Sequence, residues 1–164
     1  MKDALSIIQS HLTEAPVNIE GIIRSLGIEL DKKAELDDGI SGQIERLPSG
    51  AYKISVNKAD HYFRQRFTMA HELAHFLFHR SLIGNGVDDN KAYRSTSQGR
   101  FYNTNITGKH ETQANQFAAS ILMPESLVRE LNEEFHGNLD ELSKKLQASK
   151  QAIEIRLNAM DNAQ

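Results

Sequence analysis

The chain contains no cysteine, which excludes disulfides and leaves histidine and carboxylate as the side chains able to bind a metal. It has no apolar run approaching the length of a membrane span, and its start, Met1-Lys2-Asp3-Ala4-Leu5-Ser6, has no signal-peptide character. A cytoplasmic location with no membrane contact is the resulting expectation. Neither sign of charge dominates: 19 Lys and Arg against 22 Asp and Glu give a net charge of -3. Nothing in that balance marks a nucleic-acid binder, so no direct contact with DNA or RNA is expected. Internal repeats, low-complexity tracts and linkers are also missing. The 164 residues therefore suit one domain, long enough to bury roughly 70% of its unfolded surface.

What the chain does have is a helical stretch, Arg66 to Arg80, with His71-Glu72-Leu73-Ala74-His75 at its centre. Residues four apart on a helix lie one above the other, so the imidazoles of His71 and His75 can converge on one ion, and zinc suits this spacing best. Glu72 projects slightly around the helix, where it can hold a water without ligating the metal, as a general base would. The bland alternative is an amphipathic core helix that happens to carry two histidines. Against it, the polar positions 71, 72, 75 and 79 form a stripe bordered by Phe67, Ala70, Leu73, Ala74, Phe76, Leu77 and Phe78. Such a helix is buried, and buried histidines need partners.

Around it, residues 3–14 read as a helix with Leu5, Ile8 and Leu12 on one face, ended by Pro16. Asn18 is a plausible cap for a second helix over 19–26, stopped by Gly27. Three strand candidates follow: Ile28–Asp31, 39–46 and 51–57. The last two are joined by the turn Leu47-Pro48-Ser49-Gly50. An edge strand of such a sheet could also pair with an extended peptide. Asp60 is the expected cap of the central helix, over 61–80. Residues 81–108 show no clear periodicity, and loops of that length are often functional. His110–Leu122 reads as a helix whose Ala118 and Ala119 permit close approach to another helix. The rest, 125–160, reads as helical, with a break at His136-Gly137-Asn138 and Ser149 capping the last helix. The expected fold is α+β: a mostly helical single domain with a small antiparallel three-stranded sheet beside the HExxH helix and a helical C-terminal part. Its sections are 1–60, 61–124 and 125–164.

Two stretches, Arg66–His75 and Glu111–Pro124, together resemble the ImmA/IrrE family of zinc metallopeptidases. Weaker similarity runs through Pro16–Asn57 and the tail around Ser149–Leu157. The resemblance implies Zn2+ as cofactor, with Glu111 as third ligand beside His71 and His75. That fits the need of a catalytic zinc for three protein ligands and one open position; the alternative is an acidic residue favoured by the helix dipole. By position Asn115 resembles the carboxylate that steadies a zinc-bound histidine in related peptidases. The long metzincin motif would need Gly at 78 and His at 81, where Phe78 and Ser81 stand. His79 is therefore read as a support for the ligands or a satisfied core histidine. His110, Tyr93 and Tyr102 compete for the role of polarising the substrate carbonyl. His11, His61 and His136 read as surface residues.

By the same resemblance, the activity is zinc-dependent endopeptidase hydrolysis with Glu72 as proton carrier, and the partner is a separate protein. Family members often cut a helix-turn-helix transcription repressor encoded nearby. Two rivals stand beside this. One is a non-catalytic binding module, for example one component of a toxin–antitoxin-like pair. The other is a DNA-binding regulator using residues 139–160, which the near-neutral stretch Ile153-Glu154-Ile155-Arg156-Leu157 disfavours.

Overall fold

A computed structural model of the chain describes residues 3–90, 103 and 105–162, and short local signals account for most of its elements. Asp3 accepts the Ser6 amide at 2.7 Å and opens α1 (Ala4–Ser10), shorter than the expected 3–14 span. Asn18 accepts the Gly21 amide at 2.9 Å and caps α2 (Ile19–Ser25). Ile19, Ile22 and Ile23 on one face of α2 are fully buried. Gly27, at φ 79°, takes the left-handed conformation that ends the helix and releases the chain into the sheet.

The strands are β1 (Glu29–Ala34), β2 (Ile40–Arg46) and β3 (Tyr52–Asn57). The expected turn closes the β2–β3 hairpin: Leu47 N–H donates to Ala51 O at 2.7 Å, and Gly50, at φ 89°, donates to Leu47 O at 2.9 Å. Two features of the sheet differ from expectation. It has four strands rather than three, in the order β1-β3-β2-β4, because β4 (Gly86–Asn90) pairs antiparallel with β2. It is also mixed and not purely antiparallel, since β1 runs parallel to β3. The physical reasons are plain. β4 reads Gly-Val-Asp-Asp-Asn, poor in strand formers, with Val87 as its buried apolar side chain. The alternation of a short outer strand is the same whichever way its neighbour runs.

The central helix, α3 (Tyr62–Phe78), lies across β2 and β3. Its cap is His61, not Asp60: the His61 Nδ1 accepts the Phe63 amide at 3.1 Å. Ile44, Ile54 and Val56 of the sheet and Met69 and Leu73 of the helix are fully buried in one core. Gly42 sets the distance between the layers. A methyl group there would collide with Cγ2 of Thr68 and press to 3.1 Å from the Ser55 carbonyl oxygen. Thr68 is β-branched and cannot swing away freely. Gly42→Ala is expected to cost about 1–3 kcal/mol by overpacking, read as a lowered Tm; an unchanged Tm would contradict this packing.

A four-residue helix, α4 (Arg80–Ile83), and β4 occupy the start of the stretch expected to be loop. Helix α5 (Gly108–Leu122) then packs against α3, with Ala114 and Ala118 fully buried. This is the close approach expected at Ala118, while Ala119 is only partly buried. The tail forms α6 (Glu125–Glu134), α7 (Leu139–Leu146) and α8 (Lys150–Asn162). Ser149 Oγ caps α8 by accepting the Ala152 amide at 3.1 Å, and Arg156 Nε donates to Met123 O at 3.0 Å, tying α8 to the end of α5. Among the described residues, no helix is long and apolar enough to cross a membrane.

Candidate metal centre

The α3–α5 contact brings the chemistry together. His71, Glu72 and His75 sit in the middle of α3, at 1%, 0% and 0% exposure, so they are shut away from bulk water. The rings of His71 and His75 stand at 88° to each other with centroids 4.8 Å apart. Glu111, in the first turn of α5, reaches across with both carboxylate oxygens. Oε2 lies 3.0 Å from His71 Nε2 and Oε1 lies 3.1 Å from His75 Nε2. One donor atom from each of the three residues falls within 4.8 Å of the others, a group placed to hold a metal ion.

The far sides of the rings decide what those nitrogens present. His71 Nδ1 is 2.7 Å from Asn115 Oδ1. An amide oxygen only accepts, so His71 Nδ1 carries a proton and Nε2 is the nitrogen turned toward Glu111. Two imidazole nitrogens and one carboxylate, with no thiolate in the chain, make a set that suits zinc in its three-ligand, open-position form.

Protonation states agree with this. Burial opposes ionisation of Glu111, but the His71 and His75 imidazoles facing its two oxygens more than offset it and hold the carboxyl down at about 2. Burial pushes the His75 imidazole below its ordinary value, reinforced by His71 and His79 and opposed by the Glu111 carboxylate 3.1 Å away. An ionised carboxylate and a neutral imidazole are the forms a metal requires.

Glu72 is fully buried directly after the first ligand on α3. His79 ends α3 as its C-cap residue, and its Nδ1 is 2.9 Å from His75 Nδ1. His110 Nδ1 accepts the Thr107 amide at 2.9 Å, closing a capping box at the start of α5, and its ring meets His79 edge-to-face at 4.7 Å. Tyr93 and Tyr102 lie outside the described residues. Asn103, from the same stretch, donates to the carbonyls of Leu82 and Ile83 at 2.9 Å each and so pins the turn before β4. Sequence reasoning missed Gln113, whose Oε1 lies 2.6 Å from His79 Nε2. A polar residue on an exposed helix face carries no signal of such a contact.

Three comparisons with known proteins bear on this site. A family model described as Peptidase_M78, IrrE N-terminal-like domain, matches residues 28–158. No curated protein gives a significant match. Among solved structures, a Mycobacterium tuberculosis transcriptional regulator is similar at a TM-score of 0.60 and 16% identity, over 92% of this chain and 44% of that one. The present chain thus spans less than half the length of that neighbour, and at such identity the likeness is one of fold.

Proposed function

The chain belongs to the Peptidase_M78 family, the IrrE N-terminal-like domain, and from that premise we propose that it is a zinc-dependent endopeptidase that cuts a specific partner protein. The observation that carries this reading is the convergence of His71, His75 and Glu111 on one point, beside the buried Glu72. Zinc held there would supply a Lewis acid that acidifies water and polarises a peptide carbonyl. The protein's own residues do the rest. His71, held by Asn115, and His75 present their Nε2 atoms, and Glu111 supplies the negative charge. The Glu72 carboxylate accepts a proton from the attacking water and returns it to the departing amine, so the peptide bond breaks with no net change in the side chain. An extended substrate segment would add main-chain hydrogen bonds to an outer strand of the sheet.

The partner we propose is a helix-turn-helix transcription repressor encoded nearby, a cytoplasmic protein, with cleavage relieving repression. Support comes from the family resemblance and, more distantly, from a fold neighbour described as a transcriptional regulator. Incubating the purified protein with that repressor, with and without a chelator, tests the proposal. Fragments that appear only without chelator are expected. A stable complex with no fragments would instead support the rival reading of a binding module in a toxin–antitoxin-like pair.

A further inference from the structure

Beyond the three ligand residues, a chain of hydrogen bonds runs outward from His75. His75 Nδ1 lies 2.9 Å from His79 Nδ1, and His79 Nε2 lies 2.6 Å from Oε1 of Gln113 on α5. His79 is only 3% exposed and is flanked by the rings of His75 and His110, with centroids at 5.2 and 4.7 Å. Its orientation is therefore set by packing, and the open question is which way the protons point.

The outer end answers it. An amide oxygen cannot donate, so the short contact to Gln113 requires the His79 proton on Nε2. A neutral ring with its proton on Nε2 has only a lone pair at Nδ1. The 2.9 Å contact to His75 is then satisfied only if His75 carries its proton on Nδ1. His75 Nε2 is left with its lone pair, aimed at the point shared with His71 and Glu111. Each link forces the next, and the direction of the whole series is decided by the acceptor at position 113.

We propose that Gln113 is a positioning residue for the metal: acting through His79, it holds the His75 proton on Nδ1 and so presents Nε2 as a ligand. This deepens the zinc reading above and rests on it. Asn115 does the same for His71 by direct contact, so α5 supplies the third ligand and fixes the proton positions of both histidines on α3. Opposing the relay is Glu111, which in the metal-free protein attracts a proton to His75 Nε2.

Gln113 lies on an exposed face of α5, so replacing it leaves core packing intact. The test uses wild type, Gln113→Leu and Gln113→Glu, with two readouts. One is zinc affinity by competition with a chromophoric chelator. The other is the tautomer of His75 in the zinc-free protein, from the 15N shifts of its ring nitrogens. The leucine variant is expected to bind zinc about tenfold more weakly and to move the His75 proton toward Nε2. The glutamate variant keeps an acceptor and is expected to retain the proton on Nδ1. If Gln113→Leu alters neither quantity, or weakens zinc without moving the proton, the relay is wrong. A wild-type protein that binds no zinc would instead overturn the metal reading itself, so the two failures are distinguishable.

Discussion

Glu72→Gln is expected to abolish peptide hydrolysis while leaving metal content at the wild-type level. The two side chains have nearly the same shape, so a buried site at 0% exposure keeps its packing. What changes is the capacity to take a proton. A neutral amide cannot accept one from water, and a positioned general base contributes about 10²–10⁴ in rate, or roughly 3–5 kcal/mol of barrier. The metal-binding group is His71, His75 and Glu111, so zinc stays. Turnover of the partner protein, zinc per chain and Tm, measured on the same preparation, separate these effects. A variant that still cleaves within tenfold of wild type removes Glu72 from the mechanism. One that loses both zinc and activity would place it among the ligands.

Glu111→Ala should behave in the opposite way and lose the metal. Removing a partner that merely orients a ligand costs roughly 10- to 100-fold in affinity, and deleting one of three ligands is expected to cost more than about 100-fold. Alanine also leaves the Nε2 atoms of His71 and His75 without the anion that lies 3.0 and 3.1 Å away. The metal-free protein provides a second check. Because the Glu111 carboxyl is held down at about 2 from 4.5, it stabilises the fold above the pH where the unfolded chain ionises. That contribution fades as pH falls through 4.5 toward 2. Metal-free Glu111→Ala should therefore unfold more easily than metal-free wild type at neutral pH, with the gap closing in acid. Chelator competition and thermal melts across pH measure both. Wild-type zinc affinity in the variant would show that the carboxylate is no ligand.

The parts of this molecule legible in the sequence are those governed by neighbours along the chain. His71 and His75 share a face because four residues make one turn, and Asn18 and Ser149 cap helices because their oxygens reach amides three residues on. The hairpin turn at 47–50 is equally local. Glu111 is different: it lies 36 positions after His75, and resemblance to a known family pointed to it. Its position opposite the two imidazoles comes from the packing of Ala114 and Ala118 against α3, which no local rule encodes. β4 escaped notice because its pairing with β2 stabilises residues that otherwise disfavour strands. The parallel pairing of β1 with β3 is a topological fact that alternation cannot express. Gln113 was illegible for the same reason as Glu111, without a motif to compensate. Its partner His79 sits 34 positions earlier.

One cation joining two helices is what the proposed activity requires. Crystals of zinc-loaded wild-type protein, measured on both sides of the zinc absorption edge, test it most directly. One anomalous peak per chain is expected, bonded to Nε2 of His71, Nε2 of His75 and the carboxylate of Glu111. A fully zinc-equilibrated crystal with no peak among those three side chains, or with its peak elsewhere, would contradict the metal centre and with it the peptidase.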